Sequence, residues 1–108
     1  MKLQLNPGIT FEALEHNLTQ KLPQYTIKKL KNPIARFEYI EVKKSGTVGV
    51  WIRIIEKKQQ VLLINCMPSA FARAMLGLIF ILFFIGGQNK LRKEVGEIIK
   101  QDFNTGEI

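Results

Sequence analysis

Nucleophilic catalysis is the first chemistry to consider, because the chain contains one cysteine, Cys66, and one histidine, His16. A thiol nucleophile needs a base beside it, but these two residues are far apart in the sequence and no flanking motif connects them. We therefore interpret Cys66 as a small buried hydrophobe and His16 as a solvated helix residue. One cysteine and one histidine also exclude an internal disulfide and a multi-histidine metal centre.

Acid–base and phosphate chemistry find equally little support. Glu38 and Glu41 are three positions apart on a predicted strand, so they face opposite sides and do not form a carboxylate pair. Gly46 and Gly49 lack the further glycine, the lysine and the following helix of a phosphate-binding loop. No zinc, calcium or nucleotide motif is present in the sequence. We expect a non-enzymatic protein without a cofactor.

Aromatic and basic residues that could stack single-stranded nucleic acid lie on two neighbouring predicted strands. They are Phe37, Tyr39 and Trp51, accompanied by Arg36, Lys43, Lys44 and Arg53. The alternative is that the three rings lie beneath two amphipathic helices and the cations are simply solvated. Because both helices need an apolar surface, we favour the second interpretation, which makes nucleic acid the less favoured partner.

Charge points instead to an anionic lipid surface. The chain has 108 residues, enough for one domain, and a formal net charge of +7. The first 73 residues hold 12 Lys+Arg and 5 Asp+Glu, whereas the remaining residues hold four of each. Each cation held near an anionic bilayer contributes about 1 kcal/mol. The absence of a secretory signal pattern at the start indicates that this basic part is cytoplasmic.

Hydrophobic periodicity predicts the elements that position these residues. Phe11, Leu14, Leu18 and Leu22 form one stripe of an amphipathic helix over 10–22, with Thr10 as its N-cap. Four strands are predicted over 24–31, 34–44, 47–55 and 60–66, and the third shows the clearest alternation. Their short connections favour an antiparallel meander. A second amphipathic helix is predicted over 88–103, followed by a frayed tail over 104–108.

The segment 69–87 is the most apolar part of the sequence. Its membrane-type residues are Ala74, Met75, Leu76, Leu78, Ile79, Phe80, Ile81, Leu82, Phe83, Phe84 and Ile85. As a helix it would be roughly 28 Å long, close to the ~30 Å hydrocarbon core of a bilayer. This favours an apolar membrane helix or a re-entrant segment. The alternative is a helix buried in the core or in a homodimer interface.

These elements predict an α+β fold: a four-stranded antiparallel meander, an N-terminal and a C-terminal amphipathic helix on one face, and one strongly apolar helix between strand 4 and the last helix. The expected divisions are a basic α+β domain (1–68), the apolar segment (69–87), and the amphipathic helix with its tail (88–108). This order of elements is similar to that of many small bacterial membrane-associated proteins.

Cations flank the apolar segment on both sides and could contact lipid headgroups. They are Lys57, Lys58, Arg73, Lys90, Arg92 and Lys93. Because neither flank has a clear excess, we expect both flanks on the same side, with helix 88–103 docked on the sheet beside helix 10–22. A single crossing of the bilayer is the alternative.

The sequence thus predicts a small membrane protein whose basic domain contacts anionic lipid or a partner in a membrane complex. The alternative is a soluble homo-oligomeric module that binds nucleic acid or a small apolar ligand. In that case the apolar helix lies in its core or interface.

Overall fold

A five-stranded antiparallel sheet forms the centre of the protein. In the computed structural model, residues 1–31, 37–45, 48–66 and 89–108 are described. The strands are β1 (Lys2–Gln4), β2 (Thr26–Lys31), β3 (Glu38–Lys43), β4 (Gly49–Ile55) and β5 (Gln60–Cys66). Their order in the sheet is β1-β5-β4-β3-β2, so β2 to β5 form a meander and β1 pairs with its last strand.

Two helices lie side by side on one face of the sheet. The first, α1 (Phe11–Lys21), begins at Thr10, whose side chain accepts a hydrogen bond from the Ala13 backbone N–H. The second, α2, is described over 89–102. The side-chain amide of Asn17 on α1 donates to Asp102 on α2 at 2.8 Å, so the two helices are in direct contact.

The core lies between these helices and the inner face of the sheet. Alternation along β4 places Val50 and Ile52 on this face, and both are fully buried. The helices contribute apolar stripes that are also buried. The stripe of α1 is Leu14 and Leu18, and that of α2 is Leu91, Val95 and Ile99. Burying such side chains contributes about 1.5–3 kcal/mol each, which explains why both helices dock here.

The C-terminal tail is paired with the sheet. After α2, Asn104 has a positive φ of 50°, and the Thr105 N–H donates to the Lys100 carbonyl at 3.1 Å, the pattern of a Schellman motif. The chain then runs along β1, where the Gln4 N–H donates to the Gly106 carbonyl and the Ile108 N–H donates to the Lys2 carbonyl, both at 2.9 Å. The expectation of a frayed tail is therefore wrong.

The predicted four-stranded architecture is also wrong, because β1 adds a fifth strand. With three residues, β1 is too short to show a period of two. It forms because Leu3 is fully buried against the core and pairs with Val61 of β5, far along the chain. Pairing on both sides, with β5 and with the tail, compensates for its short length.

The described residues contain two helices instead of the predicted three, and neither is long and apolar enough to cross a membrane. The predicted apolar helix is therefore not part of the fold that the described residues form, and the prediction of a transmembrane helix is not supported. The segment 69–87, on which both expectations depended, lies outside the described residues. The expectation failed for a physical reason. Apolar composition predicts that a segment avoids water, but it does not by itself predict that the segment forms a helix.

The close approach of α2 to the sheet at Gly96 gives a stability test. A Cβ on Gly96 would overlap Sδ of Met1 and lie 3.8 Å from Cδ2 of Leu63. We expect Gly96→Val to lower the free energy of unfolding by about 1 kcal/mol, because the overpacking is partly relieved when the flexible Met1 side chain moves aside. The control is Gly106→Val, where an added Cβ meets nothing within 4 Å and where we expect a change within about 0.5 kcal/mol. Equal effects in urea unfolding would contradict this account.

Candidate functional site

The structure separates the two candidate catalytic residues. His16 is exposed on α1, on the helix side of the sheet. Cys66 is buried at the end of β5, and its pairing with Gly49 assigns its side chain to the opposite side. Within the described ranges, no cluster of three or more metal-ligating side chains occurs. The geometry therefore offers neither a nucleophile–base pair nor a metal centre in the part of the chain that is described.

The face of the sheet opposite the helices, here called the open face, carries a group of aromatic and aliphatic side chains. Because strand residues alternate, the register assigns them to this side: Leu30, Tyr39, Trp51, Ile55, Leu62 and Ile64. Neither α1 nor the described part of α2 covers this face. Ile64 is 37% exposed and the others are partly buried.

Three rings on the open face form a continuous row. The Phe37 and Tyr39 ring centroids are 5.8 Å apart, and those of Tyr39 and Trp51 are 4.9 Å apart. The Arg53 guanidinium lies over the Phe37 ring at 4.0 Å, within the range of a cation–π contact. At the other end, the Trp51 indole N–H donates to a Glu41 carboxylate oxygen at 3.0 Å. These contacts fix the orientation of the rings.

The expectation that these rings lie beneath the helices is wrong. Trp51 pairs across the sheet with Glu41 and Ile64, whereas the buried Val50 and Ile52 face α1 and α2. The signal was present in the sequence, because Tyr39 and Glu41 alternate with the apolar Ile40 and Val42. The helices obtain their apolar surface from Ile40, Val42, Val50 and Ile52 on the other side of the same strands.

A second feature is the cluster of cations at one end of the sheet, here called the basic end. Lys43, Gly49 and Cys66 occupy neighbouring positions on β3, β4 and β5. The side-chain amide of Asn65 donates to the side-chain oxygen of Asn89 at 2.8 Å, so α2 enters the described structure beside the end of β5. The chain leaves at Cys66 and returns at Asn89 at the same end of the sheet.

The basic end consists of cations from the β3–β4 turn and the first described turn of α2: Lys43, Lys44, Lys90, Arg92 and Lys93. All except Arg92 are exposed. The Nε atom of Arg92 is buried and has no hydrogen-bond partner in the described part of the chain. Glu94 is the one carboxylate among residues 89–94. The local charge is therefore strongly positive.

The predicted headgroup contacts do not form one group. Lys57 and Lys58 lie in the turn between β4 and β5, at the end where Ile55 pairs with Gln60. The basic end is six residues further along these strands, about 20 Å away at ~3.3 Å per residue. The structure thus brings together Lys90, Arg92 and Lys93 and places the turn lysines at the opposite end. Arg73 lies outside the described residues.

One lysine of β2 is already paired on the helix side. The Lys29 ammonium lies 3.2 Å from a Glu38 carboxylate oxygen and 3.3 Å from one of Glu12. Hydrogen bonds to Glu38 and then to Glu12 raise the pKa of Lys29. The pKa of Glu12 is lowered, first by its own backbone N–H and then by Lys29. Lys29 therefore adds no unpaired charge to either candidate surface.

No protein family model matches the chain, and no curated protein or solved structure matches it either.

The contact between Trp51 and Glu41 can be tested directly. We expect Glu41→Ala to lower the free energy of unfolding by about 1–2 kcal/mol, because a partly buried indole N–H loses a charged acceptor. Trp51 is the only tryptophan, so its fluorescence spectrum should shift with the same substitution. Glu38→Ala on the same strand is the control, since Glu38 is exposed and faces the helix side. Its spectrum should match that of the unsubstituted protein, and an unchanged spectrum for Glu41→Ala would contradict the contact.

Proposed function

We propose that this is a small non-enzymatic protein that associates with membranes and binds anionic lipid headgroups through the basic end. One observation carries the proposal: the hydrogen bond between Asn65 and Asn89 places the exposed lysines of α2 beside the ends of β4 and β5. A cluster of lysines binds an anionic bilayer well, because several ammonium groups can contact neighbouring phosphate groups at the same time.

The sequence between the two asparagines supports a lipid partner over a soluble anion. This part of the sequence includes the run from Ala74 to Gly87, which has no strongly polar side chain. The described residues on either side of this part of the sequence, Cys66 and Asn89, both lie at the basic end. Apolar residues and lysines next to one another are typical of proteins that contact the membrane interface.

The distribution of charge between the two ends of the sheet indicates which end faces the membrane. The turn between β4 and β5 carries Glu56 beside Lys57 and Lys58, whereas the basic end carries five cations. A bilayer with anionic lipid therefore attracts the basic end more strongly. In this orientation the ends of the strands face the membrane. We propose that the rest of the domain lies in the cytoplasm.

The first test compares two lysine pairs of equal charge. We expect Lys90→Gln/Lys93→Gln to weaken binding of the full chain to vesicles with 30% anionic lipid by about 30-fold, because two cations near the surface contribute about 2 kcal/mol together. The matched control is Lys57→Gln/Lys58→Gln at the far end, for which we expect less than a three-fold change. Co-sedimentation over a salt series measures both, and binding should weaken as salt increases.

Two results would contradict the proposal. If both double variants lost vesicle binding equally, binding would depend on the net charge of the protein and not on a particular surface. Equal binding to neutral and anionic vesicles would show that headgroup charge has no role.

A further inference from the structure

The open face takes no part in the proposed contact with lipid, which is made by the basic end. The strands run from the turn lysines to the basic end, so a bilayer at the basic end meets the strand ends and not the open face. Tyr39 and Trp51, which are partly exposed, then point away from the membrane contact. Their arrangement, and the charge around them, indicate what kind of molecule fits.

The charge of the open face differs from that of the rest of the surface. The register assigns four cations to this face: Lys2, Lys28, Lys43 and Arg53. Of the nine carboxylates in the chain, Glu41 alone belongs to the open face, and it accepts the hydrogen bond of Trp51. The other eight lie on the helices, in the turn or tail, or on the helix side of β3. An anionic partner is therefore complementary to the open face.

This excess of cations disfavours a second copy of the chain as the partner. Two open faces packed together would place like charges opposite one another, which is destabilising when water is excluded. An anionic partner with flat apolar groups satisfies both features of the face, because nucleobases stack on aromatic rings while phosphates remain near lysines.

The width of the sheet favours single-stranded nucleic acid over a DNA duplex. Five strands at ~4.8 Å spacing give a width of about 20 Å, whereas the major groove of B-DNA is about 12 Å wide. The open face therefore does not enter a groove. An unpaired strand can lie across the sheet and present its bases to the rings.

We propose that the open face is a binding site for single-stranded nucleic acid, with bases stacked on Tyr39 and Trp51 and phosphates near Lys28 and Arg53. Glu41 holds the indole ring in place through its hydrogen bond. Binding shows little sequence preference, because every base has a face that can stack.

Titration of the full chain in a zwitterionic detergent with a fluorescein-labelled 20-nucleotide oligothymidine tests this site. We expect Tyr39→Leu and Trp51→Leu each to weaken binding about ten-fold, because stacking on one ring is lost. Lys28→Gln/Arg53→Gln should weaken binding and make it less sensitive to salt, because about two fewer phosphate contacts are made. Glu41→Gln keeps an acceptor for the indole and removes a negative charge, so it should strengthen binding about two-fold.

The variants at the basic end separate this proposal from the previous one. Lys90→Gln/Lys93→Gln should leave oligonucleotide binding within two-fold, and Lys28→Gln/Arg53→Gln should leave binding to anionic vesicles within three-fold. Circular dichroism must show that each variant is folded, and Tyr39→Leu provides the ring test if Trp51→Leu does not fold. Failure of the oligonucleotide to bind or to quench Trp51 overturns the site. Loss of vesicle binding in both ring variants, with no oligonucleotide binding, would assign the open face to the lipid surface instead.

Discussion

The alternation of side chains along β4 determines both sides of this protein. Val50 and Ile52 are fully buried beneath the helices, and because neighbouring residues on a strand face opposite ways, Trp51 and Arg53 must lie on the open face. The strand is in the centre of the sheet, between β3 and β5, so its register also orders the residues beside it. A shift of one residue would bury Arg53 and expose Ile52, which the core would not tolerate.

The second constraint is the meeting of β5 and α2. Asn65 faces the helix side and binds Asn89, and α2 then packs its apolar stripe against the same core as α1. This geometry joins two parts of the chain that are separated by more than twenty residues. It also forms the basic end from two parts that are distant in the sequence, the β3–β4 turn and the start of α2.

Local patterns predicted some of these elements well and others not at all. The stripe of Phe11, Leu14 and Leu18 with a capping Thr10 identified α1, because a helix needs only neighbours three and four positions away. By contrast, β1 depends on pairing between Leu3 and Val61, and no local pattern contains that information. The tail depends in turn on β1, so both were missed together.

The candidate surfaces show the same division. The rings of Tyr39 and Trp51 could have been assigned to the open face from alternation alone. The basic end could not be predicted, because it requires the register that aligns Lys43 with Cys66 and the contact that brings in Lys90. Separation of Lys57 and Lys58 from the other cations follows from the length of the β4–β5 hairpin.

Pairing of the tail with β1 has a consequence for the behaviour of the protein in concentrated solution. An exposed strand edge is a template for another chain, and open sheets can polymerise through such edges. Residues 106–108 cover the β1 edge of this sheet. At the opposite edge, β2 carries Lys28 and Lys31, and lysines on an edge strand discourage a second strand from approaching. One edge is therefore blocked by the chain's own backbone and the other by charge, which protects the sheet against edge-to-edge aggregation.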